Sequence, residues 1–250
     1  MVRHGTAPDH GCQVAAAMLA QAAPSVDGLQ PWEWRLGETI DLVEVREGME
    51  RTDGRARRDT DAGLGLTLHH MSVALRAMGW RCAVRLFPEP DRPDLVARLQ
   101  PRSHHVTADD SALAAAISRR RTDHRRYSAW PLHWSVLDSF VRRAADLDVV
   151  ARALEPTPDT PVHGGEVIVL CTEDDGRRAA LRAGQAASAV LLAATATGLA
   201  SALVADVDEI EHSPLADPDR LVLEVTYPQV ALRVGWLHLG EAPLPPDDGR

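Results

Sequence analysis

The sequence predicts an α+β fold, a mixed and mainly antiparallel central sheet flanked by helices. Three observations predict it. Leu64, Leu68, Met71, Leu75 and Met78 recur at alternating spacings of four and three, the single apolar stripe of a helix packed on a core. Val167-Ile168-Val169-Leu170 is a continuous apolar run rich in β-branched residues, which suits a strand covered on both faces. The stretch 178–197 is the most apolar helical segment of the chain, and its many alanines let a second helix approach closely. Helices and strands that interleave in this way need a layered arrangement around one core.

The elements follow in order. Residues 1–12 are polar and glycine-containing and are expected to form a flexible arm. An alanine-rich helix is expected over 13–23, ended by Pro24, because proline disfavours helical geometry in the residue before it. Residues 32–45 alternate around Gly37-Glu38 and predict a hairpin through Trp34-Arg35-Leu36 and Ile40-Asp41-Leu42. The striped helix ends at Gly79, and 82–87 forms a strand closed by Pro88 and Pro90. Helices over 111–118 and 131–145 come next, with the arginine-rich stretch 119–127 between them. Three prolines and two glycines make 155–165 a loop. The last strand is 230–234, and 241–250 is an acidic, proline-rich loose tail. One domain is expected over 13–240, with halves near 13–100 and 101–240. The ends of the two long helices are alike: Leu75-Arg76-Ala77-Met78-Gly79-Trp80 parallels Ala194-Thr195-Ala196-Thr197-Gly198-Leu199, and each follows an Ala-Gly pair, Ala62-Gly63 or Ala183-Gly184.

Composition narrows the function. The chain has 250 residues, 45% hydrophobic and 25% charged, enough to bury a sizeable core. Its net charge is −9, and all 27 of its strongly basic residues are arginine. That balance argues against sequence-independent binding to nucleic acid or an anionic membrane. The longest apolar run, 186–196, is interrupted by Ser188 and Thr195 and is shorter than a membrane span. The N-terminus lacks the pattern of a secretion signal, so a cytoplasmic protein is expected. Cys12, Cys82 and Cys171 are odd in number and far apart, which argues against a disulfide framework or a paired-cysteine metal site.

The most specific stretch is Ala23-Pro24-Ser25-Val26-Asp27-Gly28-Leu29-Gln30-Pro31-Trp32. Two prolines bracket a loop at a helix end, where a hydroxyl and exposed amides can meet a polar ligand. It resembles A-P-S-x-x-N-x-Q-P-W, the signature of the nitroreductase family, and within it the Acg-type branch of actinobacterial dormancy- and stress-associated proteins. Arg120-Arg121-Thr122-Asp123-His124-Arg125-Arg126-Tyr127 resembles that branch's R-R-T-D-R-x-P-F element. Leu181-Arg182-Ala183-Gly184-Gln185-Ala186-Ala187-Ser188-Ala189-Val190-Leu191-Leu192 resembles its L-R-x-G-[EQ]-x-x-S-A-V-L-L helix. The three segments stand in the family's order and span nearly the whole chain.

The resemblance implies a flavin mononucleotide (FMN) oxidoreductase reduced by NAD(P)H, with a small-molecule substrate and hydride passing through the flavin ring in ping-pong order. It implies cofactor contacts from Ser25, Gln30, Arg120, Arg121 and Thr122, with Gly28 and His124 at two further contact positions. Arginine suits that role, since a phosphate takes two parallel charge-assisted hydrogen bonds from one guanidinium. The chain departs from the pattern at four places. Gly28 replaces the flavin-contacting asparagine, Asp27 replaces a histidine, and His124 replaces an arginine. The tail lacks arginines that often follow in the branch. A block that forms helices and a lid in Acg-type proteins is also absent between 145 and 165, which implies a more open pocket and a homodimer that covers it. Two other functions are compatible with these residues: a protein that stores or has lost FMN, and a tailoring enzyme acting on a large substrate. No metal site is expected. His69 and His70 are adjacent on a helix, so their side chains start about 100° apart, one toward the core rim and one toward solvent. The arginines 119–121 have a simpler reading as well, capping a helix C-terminus.

Overall fold

The computed structural model describes residues 7–25, 29–45, 54–154, 164–204 and 227–238. Helix α1 (His10–Ala20) begins inside the segment assigned to the arm, because the Asp9 side chain caps it by accepting from the Cys12 amide at 2.7 Å. Strands β1 (Trp32–Arg35) and β2 (Ile40–Glu44) form the expected hairpin. Then come helix α2 (Gly54–Ala77), strands β3 (Trp80–Leu86) and β4 (Leu95–Ser103), and helices α3 (Ala108–Arg119) and α4 (Trp134–Ala145). Strands β5 (Val150–Leu154) and β6 (Glu166–Thr172), helix α5 (Arg177–Ala196), and strands β7 (Ala200–Val204) and β8 (Tyr227–Gly235) complete the order.

The fold class is α+β, and the strands form two antiparallel sheets of four. Their orders, β1-β2-β4-β3 and β5-β6-β8-β7, are the same arrangement used twice. The one parallel pairing among the described residues is the isolated bridge between Thr122 and Ser201, where the segment after α3 runs along edge strand β7. Strands β4, β5 and β7 do not announce themselves in the sequence. β4 contains Pro101, β5 alternates alanine with arginine, and β7 begins Ala-Ser-Ala like a continuation of the helix before it.

Helices α2 and α5 cross at backbone contact and hold the two halves together. A Cβ on Gly65 would fall on the Leu181 carbonyl, and one on Gly184 would fall on the Ala62 carbonyl. The two contacts are reciprocal. Gly184 lies 119 residues after Gly65, and Leu181 lies the same 119 after Ala62. The same interval joins Gly79 (φ +88°) to Gly198 (φ +82°), the left-handed residues that end the two helices. The internal relation therefore pairs Gly65 with Gly184, and not the Ala62-Gly63 and Ala183-Gly184 pairs that catch the eye in the sequence. Helix α5 is long and apolar enough to cross a bilayer, but 83% of its most apolar stretch is buried against the protein, as a core helix requires.

A buried ionic network ties the start of α5 to the first half. Glu44 and Asp61 side chains are 0% and 1% exposed. Arg57 forks onto Glu44 at 2.7 and 3.1 Å. Arg177 reaches both carboxylates with Nη2, at 3.0 Å to Glu44 and 2.9 Å to Asp61. Charged, bidentate hydrogen bonds of this kind are what make two buried carboxylates tolerable.

Candidate functional site

The segment 120–127 is held rigidly along the second sheet. Arg120 ends α3 in extended geometry, and its guanidinium, 8% exposed, donates from Nη1 to the Thr122 hydroxyl at 3.3 Å. The Asp123 amide donates to the Ser201 carbonyl at 3.0 Å, and the Tyr127 hydroxyl donates to the Asp123 carbonyl at 2.7 Å. Burial alone would raise the Asp123 carboxyl. Three donors from Arg125, at 2.7 to 3.1 Å, outweigh it and hold the group below the ordinary carboxylate range. Arg233 stacks over the Tyr127 ring at 4.5 Å and fixes the far end.

The sequence-predicted residues do not all converge. Arg121 turns back and donates from Nη1 to the Ser118 and Arg120 carbonyls at 3.1 and 2.9 Å, capping α3. Gln30 is exposed and donates to the Gln21 carbonyl at 2.9 Å, closing the loop onto the end of α1. Ser25 is half-buried behind buried Ala23 and Pro24, and His124 is exposed. Gly28 lies outside the described residues. Trp32 is a core anchor whose ring faces Gly63 on α2, and Thr67 donates to the Ala20 carbonyl at 3.0 Å. The charge of Arg120 is felt at His70, one turn beyond Thr67.

His69 and His70 correct the sequence expectation that one meets the core rim and the other solvent. Their side chains converge on one hydroxyl of the opposite helix: Ser188 Oγ lies 2.7 Å from His69 Nδ1 and 2.9 Å from His70 Nδ1. His70 is fully buried, and its Nδ1 also lies 3.0 Å from the Leu66 carbonyl. That carbonyl can only accept, so Nδ1 carries the proton. Burial, then the positive charges of Arg143 and Arg76, push His69 down to about 4. Burial and then His69 push His70 down to about 3. Both rings therefore stay neutral in the fold, while in the unfolded chain each takes up a proton near pH 6.5. Because the folded pKa values are depressed, this stabilisation is complete above pH 6.5 and is lost as pH falls from there toward 4. Each histidine contributes a slope of up to about 1.4 kcal/mol per pH unit in that window. Urea midpoints across it should show the loss, and His69→Gln should lower the proton uptake on unfolding by about one.

Two adjoining cavities lie away from Ser25, Gln30 and the 120–127 segment, and take Arg182, Gln185 and Ala189 from the third motif. One, of about 540 Å³, opens between β3, the turn after α4 and the first half of α5. The second, of about 280 Å³, continues inward between α2, α3, α4 and α5, with His69 in its wall. Of the basic residues of the outer cavity, Arg85 and Arg178 have no role in the sequence reading, and Arg182 stands there only as part of the third motif. The available signal was the i, i+4 pair Arg178 and Arg182 on one side of α5.

Comparison with known proteins places this architecture. No family model matches the chain. The crystal structure of a provisionally named nitroreductase from Anabaena variabilis superposes with a TM-score of 0.65, covering 94% of this chain and 90% of its own. At 11% identity that likeness shows the fold, which is the nitroreductase fold. A provisionally named NAD(P)H nitroreductase of Mycobacterium tuberculosis is 32% identical over 310 residues, covering 97% of this chain and 90% of its own. The provisionally named NAD(P)H nitroreductase acg of the same organism is 26% identical, covering 92% and 91%. The chain belongs to the nitroreductase family. The 310-residue alignment exceeds the 250 residues of this chain, so that relative has at least 60 positions with no counterpart here.

Proposed function

We propose that this protein is an NAD(P)H-dependent FMN oxidoreductase that holds its flavin weakly. The family membership, carried by 32% identity to an NAD(P)H nitroreductase over 97% of the chain, is the observation that supports the reaction class. The donor set fits the phosphate side of the cofactor. Arg120, Arg121 and Thr122 put two guanidiniums and a hydroxyl in three consecutive residues, fixed to the sheet by the Thr122–Ser201 bridge. FMN, when bound, supplies the two-electron chemistry. The chain's own part is to bind and orient: Arg120 and Thr122 as a preset anion clamp, with Ser25 and Gln30 from the loop after α1.

The weak hold follows from what these side chains already do. Arg121 has to leave the α3 carbonyls, and Gln30 the Gln21 carbonyl, before either reaches a ligand. Gly28 brings no side-chain amide to the flavin ring. We therefore expect a preparation with little bound flavin, and Gly28→Asn to tighten FMN. Losing one charged hydrogen-bonding partner costs about 1.5–3 kcal/mol, roughly ten- to hundred-fold in affinity. Arg121→Ala should accordingly weaken FMN far more than riboflavin, measured by quenching of flavin fluorescence. Equal losses for the two ligands would leave Arg121 as a helix cap alone. The present partners of Arg121 and Gln30 and the missing amide at Gly28 equally favour a second reading, a protein that has given up flavin chemistry; failure of both the parent and Gly28→Asn to bind millimolar FMN would select it.

The oligomer belongs to the same proposal. The two sheets share one strand order within a single chain, and a homodimer is expected where the shortened second half leaves helix surface uncovered. Val141, Trp130 and Trp134 are exposed on or just before α4 and are the apolar surface for it. Light scattering that gives a monomer at micromolar concentration contradicts this.

A further inference from the structure

The cavity at β3 and α5 carries a pattern of charge that the proposed FMN contacts do not use. Arg85 on β3 and Arg178 and Arg182 on α5 line it, against two carboxylates, Asp146 and Asp148. A local excess of cations is notable in a chain of net charge −9. Arg178 spends one Nη2 hydrogen on the Leu86 carbonyl at 3.0 Å, which fixes its guanidinium at the rim and leaves its other donors available. Arg182 meets Asp148 at 3.4 Å, and Asp148 is 74% exposed, so a bound anion displaces that carboxylate into solvent at little cost. Among the described residues, the Arg85 side chain has no hydrogen bond or ion pair.

The inner cavity has one apolar side, beside a charged rim of Arg76, Asp109, Asp110, Arg143 and Asp146. It shares Val84, Asp146, Leu147 and Gln185 with the outer one, and adds Val73, Leu113 and Ala189 as its apolar walls. The internal repeat explains why it is on this side. Ala189 lies 119 residues after His70, the fully buried imidazole, so a methyl group stands here where a ring fills the equivalent space. We propose that this cleft binds a nucleoside phosphate, with the phosphate held by Arg85, Arg178 and Arg182 and the base lying inward on Val84 and Leu147 beside the Gln185 amide. Guanidinium groups match phosphate oxygens in pairs, and a cavity of about 540 Å³ is of the size that takes such a ligand. The inference stands apart from the flavin proposal, because neither Arg120 nor the loop after α1 lines the cleft.

Isothermal titration with ADP, adenosine and inorganic phosphate tests it on the full chain. ADP should bind in the submillimolar range and more tightly than either part. Arg182→Ala and Arg85→Ala should each weaken ADP roughly ten- to hundred-fold. Ala189→Leu, which fills the inner cavity, should weaken ADP and adenosine and leave phosphate unchanged. The proposal is overturned if ADP gives no binding at millimolar concentration, if both arginine variants bind it as the parent does, or if phosphate alone binds as tightly as ADP.

Discussion

Gly65→Ala is expected to cost about 3 kcal/mol or more, a fall of roughly 6–12 °C in Tm for a chain of this size. The added methyl falls on the Leu181 carbonyl and lies 2.9 Å from the Gln185 amide nitrogen, both of them backbone atoms inside a helix. Neither atom can swing aside as a side chain would, so α2 and α5 must separate. That crossing joins the two halves, and separating it opens the core around Leu64, Leu68 and Leu181. Gly63→Ala is the control. Its methyl meets the Trp32 ring at 3.6 Å, ordinary contact, and alanine is favoured over glycine in a helix by about 1 kcal/mol. Chemical denaturation should therefore show one variant strongly destabilised and the other neutral or improved. Similar midpoints for the two would contradict close contact between the helices.

Arg177→Met should cost about 3–5 kcal/mol, the expected penalty for removing one partner of a buried ionic cluster. Arg177 donates to Glu44 and Asp61 together, and neither carboxylate has more than 1% of its side chain exposed. Arg57 remains, but its fork is already engaged with both of them. A double-mutant cycle with Asp61→Asn should return a coupling of about 1–3 kcal/mol, since the amide removes the charge that Arg177 serves. Additive losses would mean that water reaches the carboxylates and that the network contributes little.

The parts of the fold legible in the sequence are those whose pattern has one physical meaning. The spacing from Leu64 to Met78 marks the core helix α2, although 60–68 is buried on every side and not along one stripe, and Val167 to Leu170 sits in the covered strand β6. Strands β4, β5 and β7 escaped because their burial is decided by neighbours far away in the chain, as in the pairing of Ala200 with Gly235. The family was legible from three ordered motifs, and one of them, Leu181 to Leu192, contains the residues of α5 that meet α2, Leu181, Gly184 and Gln185. The site was less legible. A motif gives residue types, but it does not reveal that Arg121 is drawn to the end of α3, or that two adjacent histidines reach across to one serine. The cleft at Arg85 and Arg182 was invisible for the same reason, because its walls come from β3, α5 and the turn after α4.

The central claim, a flavin oxidoreductase with a weakened hold on its cofactor, meets its most direct test in one anaerobic experiment. The purified protein is titrated with FMN until binding saturates and is then mixed with NADPH or NADH, while the visible flavin band is followed. The account predicts a nearly colourless protein that takes up FMN in the micromolar range or weaker and a protein-bound flavin band that bleaches on mixing, faster than free FMN does. A preparation already saturated with flavin would contradict the weak hold, and bound FMN that keeps its colour with both nicotinamides would contradict the oxidoreductase.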